Sequence, residues 1–282
     1  MHNAFLEWLS RIPIWPIGAV LLILMGGSFF IGRWLHARAT SRGHVAKNTA
    51  FDGFIVSAVL GLLALLLGFT FSLAIQRFEE RRQLVIETAN GIGTAYLRAQ
   101  LLDSPHRERL SRLFVDYTQL QIALANSDFP VDGPLRQKND RLLTDIWAAT
   151  AAALTDPKNA AFVFAVSGAM NNVIDLNGER VQARTLRIPI EVYIVLLGYL
   201  ISVAGVLGYE MEKGRSTFVA CFVLSLMTIS LLLVIDIDRP GSGGIQESQE
   251  PMLDLRHTLD QQPPATFDRW RAKGTVLPAP GK

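Results

Sequence analysis

Five histidines and one cysteine are the side chains best suited to hold a metal or act as a nucleophile, and their spacing serves neither purpose. His2, His36, His44, His106 and His257 form no pair at a metal-ligand spacing, and none falls inside an apolar run. Cys221 stands alone within such a run, so the chain can form no internal disulfide and no cysteine-based zinc site. No GxSxG, Walker loop or HExxH is present. The stretch IETANGIGTAY has two glycines two apart, but no strand precedes it, so it is no dinucleotide loop. The acidic pair Glu79-Glu80 stands among Arg77, Arg81 and Arg82 and reads as a self-neutralising helix face. No catalytic constellation emerges. The expectation is a protein that is not an enzyme, with no cofactor and no metal.

The chemistry that does stand out is physical. Residues 68–82, GFTFSLAIQRFEERR, run from lipid-compatible to charged with no Pro or Gly after Gly68 to break a helix. At 100° per residue, Ser57, Gly61, Ala64, Gly68 and Ser72 share one stripe, and Gly61, Leu65 and Phe69 drift along its edge. Small residues at this spacing let another helix approach closely. Equally, in a ring of identical subunits such positions stack as apolar rings, which gate by wetting and dewetting. Periodicity leaves both readings open.

The elements that position this stripe follow from composition. The 282 residues are 50% apolar and 18% charged, with a mean hydropathy of +0.27. An ordinary soluble domain carries about 25% charge. The net charge of +2 gives no reason to expect a nucleic-acid partner. Four runs are long enough to cross hydrocarbon, which takes about 20 residues of helix: Ile14 to Gly32, Gly53 to Gln76, Val192 to Tyr209, and Ser216 to Ile235. No small-x-small cleavage site closes the first, so it is expected to be a retained helix.

The fold expected is an all-α integral membrane protein: four transmembrane helices with a helical cytosolic insert between the second and third. The expected organisation is a first pair at 1–76, an insert at 77–188, a second pair at 189–236 and a partly disordered cytosolic tail at 237–282. Within the insert, one helix ends at Asp103-Ser104-Pro105, with Ser104 as cap and Pro105 at the first position of the next. The loop SDFPVDGP precedes a helix over Leu135 to Leu154. Asp156-Pro157 starts another, expected to continue to the third span. Lys and Arg near the span ends favour a cytoplasmic insert and termini in a multi-pass protein of the cell inner membrane.

The second span also carries a resemblance. LLLGFTFSLAIQRFEERRQ resembles the second transmembrane helix of the bestrophins: Gly68-Phe69, then Ser72, then Arg77-Phe78 follow that helix in order, and Glu80-Arg81-Arg82 is similar to its bacterial members. IDIDRPGSGG and EPMLDL resemble the motifs that follow the family's fourth span. The resemblance covers most of residues 10 to 260 and is nearest to a bacterial bestrophin-like domain family, distantly similar to bestrophin ion channels. It implies a ring-shaped homo-oligomer, pentameric in the bestrophins, with a central pathway for small ions in the lipid bilayer and a tail that packs back.

On that resemblance the pore-lining residues are Gly61, Leu65, Gly68, Phe69 and Ser72, and the cytosolic pore exit is Gln76, Arg77, Glu80 and Arg81. Gly61, Leu65 and Phe69 take the family's neck positions, where Gly61 would leave the first ring open. The acidic run of the animal calcium clasp is replaced by GSGGIQESQE, so no calcium gating of that kind is expected. Animal bestrophins pass anions and bacterial relatives can prefer cations; helix amino termini aimed at a pore favour anions slightly. The alternative is a non-conducting membrane sensor or assembly module whose insert binds a partner.

Overall fold

The computed structural model describes residues 12–41, 49–127, 133–210, 215–240 and 243–270. Every regular element among them is helical. In order these are α1 (Ile14–Ser41), α2 (Thr49–Ala99), α3 (His106–Ala125), α4 (Pro134–Leu154), a 3-10 helix (Pro157–Phe162), α5 (Val163–Thr185), α6 (Ile190–Glu210), α7 (Arg215–Ile237), α8 (Glu250–Gln261) and a second 3-10 helix (Pro264–Trp270). Among the described residues four helical stretches are long and apolar enough to cross a membrane, and each overlaps one of the four apolar runs of the sequence. The chain divides into two compact units, residues 1–79 with 186–246, and residues 80–185 with 247–282.

In the first unit α1 crosses α6 with almost nothing between the backbones. A Cβ on Gly32 would lie 2.0 Å from the Gly205 carbonyl oxygen, and one on Gly208 would lie 2.0 Å from that of Phe29. Ser28 Oγ donates to the Ile201 carbonyl at 2.7 Å in the same crossing. Lipid gives no hydrophobic drive for helices to associate, so close packing and such hydrogen bonds must hold them. Met25, Phe29, Leu200, Ala204 and Leu207 are buried around it. Gly18 admits Leu232 of α7, and Arg33 Nη1 reaches Thr217 Oγ1 at 3.1 Å.

The second unit follows the rules of a water-soluble bundle. On α2, Val85, Thr88, Ala89, Ile92, Ala95, Tyr96 and Ala99 are buried at helical spacing. They meet Leu110, Phe114 and Tyr117 of α3, Ile146 of α4, and Val166, Met170 and Val173 of α5. Gly133, with φ 84°, turns the chain into Pro134 at the head of α4, matching the expected boundary within a residue. Asp156 caps the first 3-10 helix by accepting from the Lys158 N–H, as its place before Pro157 suggests.

Two local expectations are corrected. Helix α3 begins at His106, not Pro105, and no side chain caps it; the Asp103 carbonyl accepts the N–H groups of His106 and Arg107. The segment from Asp156 does not run unbroken into the third span: Leu186 to Pro189 is non-helical. Pro189 disfavours helix at Ile188, and the Ile188 N–H goes to the Asp238 carboxylate instead, at 3.2 and 3.3 Å. The tail after residue 246 is described as far as residue 270 and forms two helical elements. Helix α8 buries Met252 and Leu259, one face seven residues apart, and Tyr96 Oη donates to the Gln262 carbonyl at 2.7 Å. Residues 271–282, the end of the expected disordered stretch, lie outside the described residues.

Candidate functional site

The face of α2 singled out by its small residues is open within one chain. Among the described residues nothing lies within 4 Å of a Cβ built on Gly61 or on Gly68. Leu65 is 52% exposed and Phe69 66%. Ser72 and Gln76 are exposed as well. The other side of the same helix is packed: Leu63, Thr70 and Ala74 are buried, and Thr70 Oγ1 is satisfied by the Leu66 carbonyl at 2.8 Å. The five expected lining positions are therefore brought together on one unpartnered side of one helix. The close intrachain approach that small residues permit occurs elsewhere, at Gly32, Gly205 and Gly208.

The four exit positions do not share one environment. Gln76 is exposed, and Arg77 and Glu80 are half-buried. Arg81 is turned inward, 4% exposed, in an ion pair with Glu247 of the segment leading into α8. Its role in the second unit is to hold that segment against α2. Glu79, exposed, lies seven residues from Ser72 and eleven from Gly68, on the small-residue line. The sequence reading passed over Glu79 as half of a self-neutralising pair; the angular count used for Gly61 to Ser72 would have found it.

The base of the first unit is fixed by a polar knot around the end of α7. Asp238, 4% exposed, accepts from the Ile188 N–H and from Tyr193 Oη at 3.1 Å. Asp236 accepts from the Gly244 N–H at 2.9 Å and the Ile245 N–H at 3.1 Å. Gly243 packs so tightly on the Asp236 carbonyl that a Cβ would sit 2.6 Å from its oxygen. Arg239 donates to the Ile12 carbonyl at 2.8 Å, tying the start of α1 to the end of α7. Together with Ala74, Ile188, Val234 and Ile237, which are buried as a group, these contacts set where α2 leaves the unit. Asp236, Asp238 and Arg239 thus form a hydrogen-bonded clasp with the backbone at Gly244, Ile245, Ile188 and Ile12. Among the described residues no group of three or more His, Cys, Asp or Glu is placed to hold a metal ion.

A family model described as a bestrophin-like domain matches residues 25–252. Solved structures of a bacterial bestrophin homologue from Klebsiella pneumoniae are similar in fold. One point-mutant form is 16% identical with a TM-score of 0.64, over 89% of this chain and 98% of that one. Another mutant form is 15% identical with a TM-score of 0.64, over 92% and 100%. A form phased on zinc is 14% identical with a TM-score of 0.64, over 88% and 97%. No curated protein matches the chain.

Proposed function

The chain belongs to the bestrophin-like domain family, and on that premise we propose that it is an oligomeric channel passing small monovalent ions. The pore is lined by α2, with Gly61, Leu65, Gly68, Phe69 and Ser72 facing the pathway and Phe69 as its apolar constriction. One observation carries this reading: a helix packed on one side presents Leu65 and Phe69 exposed on the other, beside glycines with no described residue within 4 Å of an added Cβ. A large apolar stripe of this kind asks for a partner, and copies of the same helix arranged as a ring, as in the pentameric bestrophins, supply it.

Gln76 and Arg77 follow the neck at the cytosolic exit of an inner-membrane protein, with the insert and both termini in the cytoplasm. Apolar rings do not select by charge sign. Residues 77–82 carry three arginines and two glutamates, and Arg81 is taken up by Glu247. The two remaining arginines balance the two glutamates, so the slight preference for anions rests on helix amino termini aimed at the pathway.

Reconstituted flux with ion substitution tests this. Proteoliposomes are expected to pass monovalent ions, and Phe69→Ala to raise the flux about tenfold, as removing an apolar barrier of about 1.4 kcal/mol would. A chain that is monomeric in detergent ends the reading. Flux that is absent, or the same in Phe69→Ala and Leu65→Ala, leaves a non-conducting module whose insert binds a partner.

A further inference from the structure

One cleft of the second unit holds more positive charge than the carboxylates among its described lining residues balance. Arg180 of α5 is 8% exposed and donates through Nη1 to Gln121 Oε1 at 3.1 Å. Among the described residues it has no carboxylate at ion-pair distance. Arg184, one turn on, directs its two Nη groups to the Leu124 and Ala125 carbonyls at 3.0 and 3.2 Å, the C-terminal end of α3. Arg81, Arg180 and Arg184 line one narrow cleft in which, among the described residues, Glu247 is the single carboxylate, and Glu247 is paired with Arg81. Three guanidiniums against one carboxylate leave two positive charges uncompensated. Burial, and next the charge of Arg184, lower the Arg180 pKa to about 10, which keeps it cationic at neutral pH. A buried guanidinium without a counter-ion is strongly unfavourable.

Arg180 also fronts a cavity of about 330 Å³, between α3, α4 and α5. At the share of volume a water takes in the liquid, that is room for about ten waters. The groups around it are arranged as donors. Asn177 Oδ1 accepts from Tyr117 Oη at 3.2 Å and Gln121 Nε2 at 3.3 Å, and Asn139 Oδ1 accepts from the same Gln121 nitrogen at 2.9 Å. With these oxygens and Gln121 Oε1 occupied by protein donors, the Arg180 guanidinium and the Asn177 amide nitrogen remain for a ligand. Arg136 stands exposed on the wall. Among the described residues the one carboxylate on the wall is Asp140, which is exposed and accepts from Asn139 Nδ2 at 3.4 Å.

We infer that this cavity binds a small organic oxyanion, a carboxylate or phosphate ester of about ten non-hydrogen atoms, on the Arg180 guanidinium with Arg136 at its mouth. The planar guanidinium fork matches two oxygens of such a group and not a spherical halide. Nothing in this inference depends on conduction, because every group belongs to the second unit.

The test is thermal unfolding of the full chain in detergent at neutral pH and fixed ionic strength, with chloride replaced stepwise by succinate or, separately, by inorganic phosphate. The unfolding temperature is expected to rise saturably, by about 5 °C at a hundred times the dissociation constant. The anion with the lower half-saturation identifies the head group. Arg180→Met should unfold in chloride no lower than the wild type, since a buried unpaired charge has been replaced by an apolar side chain, and should lose the rise. Arg136→Gln should weaken the apparent affinity about tenfold. A flat wild-type curve in both anions overturns the inference, as does an undiminished rise in Arg180→Met. Should that variant fail to fold, wild-type affinity in Arg136→Gln overturns it instead.

Discussion

The two units of the molecule are held together by different physics, and glycine makes the contrast visible. Between α1 and α6 the contact is backbone against backbone: the space beside Gly32 and Gly208 is filled by carbonyl groups 2.0 Å from where a Cβ would be. In the insert the space beside Gly91 is filled by the end of the Leu176 side chain, 2.6 Å away, and that beside Gly93 by Leu255 at 3.3 Å. On the exposed face of α2 no described residue fills the space beside Gly61 and Gly68. One residue type therefore serves as a helix crossing in the first unit, as a socket for an apolar side chain in the second, and as a gap on an exposed face. A backbone cannot move aside without unwinding hydrogen bonds, whereas a leucine can change rotamer.

The sharpest way to break this comparison is to add one methyl group at each kind of site. Gly208→Ala places its Cβ against the Phe29 carbonyl oxygen, carbon and Cα together, all backbone. The crossing must separate, and with it the Ser28–Ile201 hydrogen bond. The expected outcome is loss of the folded first unit, read as failure to recover monodisperse protein in detergent. If Gly208→Ala purifies and melts like the wild type, the α1–α6 crossing is not what holds the spans.

The same methyl at Gly91 should cost far less. Its Cβ meets the Leu176 Cδ1 at 2.6 Å and the Asn172 amide at 3.1 Å, and Leu176 is 8% exposed, so the neighbour has some room to give. A destabilisation of about 1–3 kcal/mol is expected, as for other overpacked sites, offset in part by about 0.5–1 kcal/mol of helix propensity. Thermal unfolding of Gly91→Ala should show a lowered midpoint with the protein still folded. An effect as large as that of Gly208→Ala would erase the distinction between backbone-limited and side-chain-limited packing.

These differences explain what the sequence could and could not reveal. The four spans were legible because length and apolarity are local properties, and so was the unbroken α2, because no Pro or Gly falls after Gly68 until Gly91. Helix α4 was legible from Gly133-Pro134 and the 3-10 helix from Asp156-Pro157. The family was legible from Gly68-Phe69, Ser72 and Arg77-Phe78. What could not be read was anything set by a distant partner. Gly61 and Gly208 sit in equally apolar helices, and only the fold decides that one faces a void and the other a carbonyl. Arg81 and Arg82 are neighbours in a charged run, yet Arg81 is buried against Glu247, 166 residues away, while Arg82 is exposed. Arg180, in the middle of NGERVQAR, looks like any surface arginine until α3 and α4 close over it. The proline that broke the path into the third span, Pro189, was visible; its consequence depended on Asp238, 50 residues on, taking the Ile188 N–H.

The smallest expected effect on stability tests the third kind of glycine site and the proposed pore together. Gly61→Val adds three carbons to a position with nothing within 4 Å, so no clash arises within the chain. Valine in a helix is a little better than glycine. The unfolding temperature should be within a degree or so of the wild type, as expected for a substitution within about 0.5 kcal/mol. Flux should nonetheless fall, because on a ring of α2 helices three carbons per subunit would narrow the widest of the neck positions and extend the apolar barrier above Leu65 and Phe69. The direction is opposite to that of Phe69→Ala, so the two variants bracket the wild type if both residues face the pathway. The double variant separates the possibilities further. If Gly61 and Phe69 line one conduit, Gly61→Val should lower the flux gained from Phe69→Ala; if Gly61 instead packs against a neighbouring subunit, Gly61→Val should change the oligomer's mass in detergent and leave the conductance of intact rings alone.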